Sequence, residues 1–327
     1  MVILIKRKVV QHGPSTLIIS LPFKWIRRHN IRKGDELQVD ELEDKIMIAA
    51  KNADVQEKIT LDIMPFGKMV TQIIRALYKR GVDEIKLLYD YPDMFDTIEK
   101  SLGNESVSFE VLETGNNFCI IKNVSEGSRE FEHVLRQTFI LLLSMSEEGC
   151  EALKQGNLSQ LNNLKSLEEV NNRFTAFCRR YLNTKGPDRF DKVGPIYYIV
   201  EHLERIADVY KYLYSYLGSL HEPKIEFKKE LLAKFSEMNA MFRKFYNQFY
   251  KFNPRGISEI KEDRDRIIKD LLALVPSLKK PHDIMLFHHL LMLTNDIFSL
   301  LDPYLLLSIK EYGQKTQNIK PLISKEI

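Results

Sequence analysis

Glycine and proline are scarce in this 327-residue sequence, at 14 and 12 residues. That scarcity excludes collagen-like and low-complexity chains and argues against an all-β architecture built on many tight turns. Long helices are the expected alternative. Cysteine is scarcer still: Cys119, Cys150 and Cys178 are odd in number and about thirty residues apart, which matches neither a disulfide framework nor a CxxC metal site. Buried free thiols are expected. No apolar run approaches the ~18 residues of a membrane span, and the longest, around Phe139 to Leu143, reads as a core-helix stretch. Met-Val-Ile-Leu-Ile precedes Lys6-Arg7-Lys8, the reverse of the charge order in a signal peptide, so a cytosolic protein is expected. At 44% apolar and 28% charged residues the chain is a core-forming one, long enough for two domains or more.

Acidic residues are missing altogether from positions 1–33, which carry eight bases: Lys6, Arg7, Lys8, Lys24, Arg27, Arg28, Arg32 and Lys33. The overall balance is 48 bases to 45 acids, so the remainder holds 40 bases against 45 acids and is net negative. An acid-free basic head on an acidic body favours an acidic partner there, most simply a phosphate backbone.

Residues 1–50 read as short strands around one helix. Val9-Val10-Gln11 runs into the turn cluster His12-Gly13-Pro14-Ser15, and Thr16 to Ser20 is β-branched. Pro22 suits a first helical turn, Gly34 can end that region with a positive φ, and Glu36–Asp40 with Lys45–Ala49 form a strand pair turning at Glu43-Asp44. So short a unit buries little alone, and a second copy would complete it.

These residues resemble the AbrB-like swapped-hairpin family of transcription regulators. The likeness rests on Arg7-Lys8-Val9-Val10, Gly13-x-Ser15, Ile19-x-Leu21-Pro22, Lys24-Trp25, Ile31-x-x-Gly34-Asp35 and Lys45-Ile46-Met47-Ile48. It implies that two chains interlace their hairpins into a small barrel whose basic face grips DNA.

A small α/β unit is expected over residues 53–124, with strands at 58–63, 84–89, 108–112 and 118–122 and helices at 66–80 and 92–102. Its glycines make no GxGxxG or P-loop, so no nucleotide site is expected. From about Ser128 the pattern is helical, with candidates at 128–154, 157–184, 193–219, 224–253, 256–275 and 282–311. An offset of 88 residues superimposes Ile199, Leu203, Tyr210, Leu213 and Leu217 on Phe287, Leu291, Phe298, Leu301 and Leu305, with Asp208 falling on Asp296. Two tandem three-helix bundles follow.

Glu201, Glu204 and Asp208 stand at i, i+3 and i+7 on the third helix, where Glu204 and Asp208 share a face. Like charges one turn apart are destabilising, so a bound cation or a neighbouring Arg such as Arg205 or Arg173 should compensate. Leu203-Glu204-Arg205-Ile206-Ala207-Asp208 resembles the ExxxD signature of the PhoU family, regulators of phosphate uptake whose two three-helix bundles carry metal clusters. The preceding helix offers Glu168-x-x-x-Asn172 and the second bundle Met292-x-x-x-Asp296, each a departure from a second acidic pair. The resemblance implies a divalent or iron-type metal ion held by Glu204, Asp208, Glu168 and Asp296.

The expected fold is thus multidomain and mainly α: an N-terminal β-rich swapped-hairpin barrel (1–52), a small α/β domain (53–124) and two PhoU-like bundles (125–220 and 221–327). A PhoU-like body behind an AbrB-like head is similar to archaeal phosphate uptake regulators. The function this implies is a cytoplasmic, homodimeric transcription regulator that contacts double-stranded DNA through Lys6, Arg7, Lys8, Lys24, Arg27 and Arg28. The alternative is an adaptor to a phosphate transporter or sensor kinase, with the head used only for dimerisation. No HExxH, GxSxG or Walker motif occurs, so no enzyme is expected. His288-His289 and the tyrosines Tyr197, Tyr198, Tyr210, Tyr212, Tyr214 and Tyr216 read as bundle core and rim.

Overall fold

The computed structural model describes residues 6–42, 45–50, 56–91, 93–103, 106, 108–124, 131–186, 192–220 and 225–323. They form two compact units, residues 1–57 and 58–327.

In the first unit β1 (Val10–His12) and β2 (Thr16–Ile18) pair antiparallel, with Val10 opposite Ile18 and His12 opposite Thr16. Gly13, at φ 75°, supplies the left-handed residue of the turn beside Pro14. Pro22 then enters helix α1 (Phe23–Arg28) from an extended conformation, and Gly34 at φ 97° leads toward β3 (Leu37–Leu42), which pairs with β4 (Lys45–Ala50). The expected turn residues Glu43-Asp44 lie outside the described residues. Each sheet has only two strands, and such a hairpin is marginal on its own. The apolar side chains confirm the shortage of core: Leu17 is 69% exposed, Ile46 66%, Phe23 64% and Val39 60%, and no described residue of this unit is buried.

The second unit begins with β5 (Lys58–Asp62), a 3-10 segment, α2 (Val70–Arg80), β6 (Glu84–Leu88), α3 (Met94–Leu102), β7 (Phe109–Gly115) and β8 (Phe118–Asn123). The sheet order is β5-β6-β8-β7, with only the β5–β6 pair parallel, as the β5-α2-β6 crossover requires. Helix α2 turns Val70, Ile74 and Tyr78 inward and ends on Gly81 at φ 107°. A Cβ on Gly81 would also strike Thr184 Cγ2 at 2.3 Å, so both the cap and the approach of the bundle need glycine.

Helices α4 (Phe131–Gln155), α5 (Ser159–Thr184) and α6 (Val193–Gly218) form the first bundle, and α7 (Lys229–Tyr250), α8 (Pro254–Leu274) and α9 (Pro281–Ser299) the second. The mainly helical, multidomain architecture read from the sequence is observed. In the α/β unit α2 begins at Val70, not 66, because Gly67 at φ 52° breaks the helical path, and β7 runs on to Gly115, past the expected 112; among the bundle helices three further boundaries differ. The start expected at 224 gives way to an extended lead-in, where Ile225 and Phe227 are buried and the Lys228 N–H donates to Asp283 Oδ1 at 3.0 Å. Pro254 opens α8 as its first residue instead of breaking the chain before it, with the Asn253 side chain accepting from the Arg255 N–H. The helix expected over 282–311 ends at Ser299, and α10 (Leu301–Ile323) follows, packed against α6.

The stretch Pro281–Lys310 is long and apolar enough to cross a membrane, which counting uninterrupted apolar runs did not reveal. Half of its most apolar window is buried in the body, as in a core helix.

The repeat also needs a correction. Buried positions Ile199, Leu203, Ile206, Tyr210, Leu213 and Leu217 correspond to Leu286, Leu290, Leu293, Ile297, Leu300 and Tyr304, an offset of 87 residues (Ile199 to Leu286) in place of 88. On that register Asp208 falls on Asn295 and Glu204 on Leu291, so the second bundle carries no counterpart of the acidic pair.

One apolar cluster runs through both bundles. A buried polar knot crosses it: the Tyr210 hydroxyl donates to Ser146 Oγ at 2.7 Å, Ser146 meets Asn239, and the Tyr214 hydroxyl donates to the Met145 carbonyl at 2.6 Å. Gly149 makes room for this, since a Cβ there would lie 2.0 Å from the Tyr214 hydroxyl. Gly149→Ala is therefore expected to destabilise the body by ~1–3 kcal/mol through overpacking. Thermal unfolding should show a drop of several degrees, and an unchanged midpoint would mean that Tyr214 yields without cost.

The cysteines Cys119, Cys150 and Cys178 are free and buried. Burial pushes the Cys178 thiol up to about 12 and the Cys119 thiol up to about 11, so neither is a nucleophile near neutral pH. Tyr210 and Tyr214 are core, whereas Tyr198 and Tyr212 are exposed. His289 is buried, its Nδ1 2.8 Å from the Met285 carbonyl, and burial lowers its pKa.

Candidate functional site

Two places carry the residues singled out from the sequence, one in each unit. In the first unit the basic residues are all on the surface: Lys6, Arg7, Lys8, Lys24, Arg27 and Arg28 are exposed. Lys24, Arg27 and Arg28 stand at i, i+3 and i+4, so the short helix α1 offers them on one side. Arg27 lies over the Phe23 ring, 4.8 Å from its centroid, which holds the guanidinium without neutralising it. Among the described residues no carboxylate pairs with any of the six. The acid that is close by, Asp35, instead accepts from the Arg32 backbone N–H at 2.7 Å and fixes the turn after α1. The surface is therefore a set of available cations on the segment leading into β1 and on one helical face, chemistry suited to phosphate oxygens.

The second place is the seam between α5 and α6, which run antiparallel. Reading along it, Arg179 Nη1 donates to Glu201 Oε1 at 2.7 Å, Arg179 Nη2 meets Glu204, Thr175 Oγ1 donates to Glu204 Oε2 at 3.0 Å, and Lys211 Nζ donates to Glu168 Oε1 at 2.8 Å. Lys211 also lies 3.4 Å from Asp208 Oδ1. Burial raises the Asp208 carboxyl above its usual range against the pull of Lys211. Burial works against the Lys211 ammonium, but its hydrogen bonds to Glu168 and then Asp208 outweigh that and raise its pKa. Asp296 stands apart on α9, where it accepts from Arg205 Nε at 3.0 Å.

The four carboxylates expected to share a metal are thus divided three ways. Glu168 and Asp208 meet on Lys211, Glu204 on Arg179, and Asp296 on Arg205. Among the described residues no group of three or more His, Cys, Asp or Glu converges as metal ligands do. A metal cluster does not fit this arrangement, because protein cations already engage the oxygens that would ligate it. The compensation expected for the Glu204–Asp208 repulsion comes from Arg179 and Lys211, neither of which the sequence reading singled out. Lys211 was within sight of it, three residues beyond Asp208. Arg179 lies on another helix, and only the α5–α6 register brings it in.

The family model described as antidote-toxin recognition MazE, bacterial antitoxin, matches residues 10–56, which take in β1 to β4. Among solved structures the chain is similar to the phosphate transport system regulatory protein PhoU from Streptococcus pneumoniae, at 14% identity and a TM-score of 0.45, over 54% of this chain and 93% of that one. No curated protein matches the sequence.

Proposed function

We propose that the chain is a cytoplasmic, non-enzymatic regulator that binds double-stranded DNA as a homodimer through residues 1–52 and acts on phosphate uptake. The observation that carries the DNA-binding and dimeric part is the first unit itself. It exposes every described apolar residue wholly or in part and buries none, so a second copy is what supplies its core. Its six exposed bases then double in number on one assembly. The family model matched there, an antitoxin that by its description recognises a toxin, favours regulation by the same kind of head. The link to phosphate rests on the Glu204-x-x-x-Asp208 signature in the helical body.

Selection of genomic fragments on the purified full chain tests this reading. Enrichment of one motif with two-fold symmetry is expected, since a symmetric dimer reads symmetric half-sites, and the enriched sites should lie beside genes for phosphate uptake. No enrichment would favour the adaptor reading, in which the body binds a phosphate transporter or sensor kinase.

A further inference from the structure

We propose that Phe23 reads sequence on the DNA face, packing on the C5-methyl group of a thymine in each half-site, an assignment that rests on the DNA-binding reading above. At about 3.6 residues per turn, Phe23, Arg27, Lys24 and Arg28 fall in that order within an arc of about 140° on helix α1. All four are exposed. Trp25, Ile26 and His29 take the remaining arc and are half-buried, with the Trp25 and His29 rings 5.2 Å apart between centroids. The inner side of α1 thus has its own aromatic and aliphatic residues, and Phe23 stands on the outer side, 64% exposed among three cations.

That position separates Phe23 from the apolar residues a second copy would cover. Val10, Leu17, Ile18, Val39 and Ile46 are exposed too, but they belong to strands β1 to β4. The Arg27 guanidinium lies 4.8 Å from the centroid of the Phe23 ring. Burying the ring in a dimer core would carry that charge in with it, and among the described residues no carboxylate pairs with Arg27 to offset the cost.

Against a duplex the same arrangement carries no such penalty. Lys24, Arg27 and Arg28 draw the arc onto the phosphates, which are alike for every sequence and so give affinity without choice. A ring held there meets one apolar group on the base edges, the thymine methyl that projects into the major groove. Taking ring and methyl out of water together is favourable, and the gain is confined to positions that present a thymine. Because the ring also holds the Arg27 guanidinium, the methyl contact and the phosphate contact are set at a fixed separation, which adds register to the readout.

The test compares the motif enriched from genomic fragments by the full-length wild type with that enriched by Phe23→Ala. The variant is expected to keep the dimer mass in light scattering and the dependence of affinity on salt, and to lose the preference for thymine at one position of each half-site. Fluorescence anisotropy then uses the enriched duplex with each motif thymine replaced in turn by deoxyuridine, which removes only the methyl. Replacement at the assigned position in both half-sites should weaken wild-type binding about tenfold. It should cost Phe23→Ala nothing further, since the two changes remove one contact. Phe23→Leu, which keeps an apolar side chain, should retain part of the preference. A Phe23→Ala chain of halved mass would place the ring in the dimer core and overturn the assignment. So would an unchanged motif, or a wild type indifferent to every deoxyuridine replacement, a result that needs no variant to fold. A wild type that binds no duplex at all would instead overturn the DNA-binding reading, and this assignment with it.

Discussion

Charge reversal of Arg7, Lys8 and Arg27 to glutamate is expected to abolish DNA binding while the unfolding midpoint of the helical body stays where it is. A dimer with six bases per chain at its DNA face makes ~6–10 phosphate contacts, and each one releases counterions. Affinity for any duplex should then fall ~10³–10⁵-fold between 50 and 200 mM salt. Three reversals per chain remove about six favourable contacts from the dimer and replace them with repulsion, so a loss beyond ~10³-fold is expected at low salt. The body is spared because residues 58–327 form their own compact unit with their own apolar clusters. Fluorescence anisotropy of a labelled duplex across a salt series reads both quantities. Binding that ignores salt, or survives the reversals, would transfer the head to the adaptor reading.

Local chemistry made much of this fold legible. Pro22 and Gly34 bracket α1, Gly81 stops α2, and the strand-like runs fall within three residues of the bounds of β1 to β8, because each depends on dihedral preferences of the residues themselves. Register between distant elements was not legible in the same way. Apolar residues on α6 and α9 recur so densely that offsets of 87 and 88 both lay apolar on apolar, and the coincidence of Asp208 with Asp296 tipped the choice to the wrong one. Burial decides it, since Leu286, Leu290 and Leu293 are fully buried while Phe287 and Leu291 are only partly so. The candidate site shows the same division. That Glu204 and Asp208 share a face followed from spacing, and the need for a cation followed from Coulomb's law. That the cation at Glu204 is Arg179 depends on how α5 returns against α6, a tertiary fact. The break after Ser299 was legible in Pro303, which has no N–H for the Ser299 carbonyl and suits the first turn of α10, a signal that reading 282–311 as one helix passed over.

Arg179→Met is expected to be among the most damaging single substitutions in the body. Arg179 is 3% exposed and holds Glu204, itself 20% exposed, together with Glu201, Thr175 and the Thr175 carbonyl. Removing one partner of a fully buried ion pair costs ~3–5 kcal/mol, and because Glu204 is part-exposed and keeps Lys79 at 4.0 Å the expected loss is about 2–3 kcal/mol. For a unit of this size that is a fall on the order of 10 °C in unfolding midpoint. Adding Glu204→Gln removes the stranded charge, so the double variant should recover part of the loss, and the cycle should return a coupling of about 1 kcal/mol or more. The same measurement separates a protein cation from a metal. If Arg179 is what neutralises Glu204, chelator leaves the wild-type midpoint unchanged and Glu204→Gln alone is destabilising, because the buried Arg179 then keeps only the half-exposed Glu201 as a carboxylate partner. Were a metal ion the true counter-charge, chelator would lower the midpoint by linkage. Arg179→Met would then cost little, since the metal would still hold Glu204. The two accounts predict opposite rankings of one substitution and one chelator, so scanning calorimetry of the wild type, the two single variants and the double decides between them.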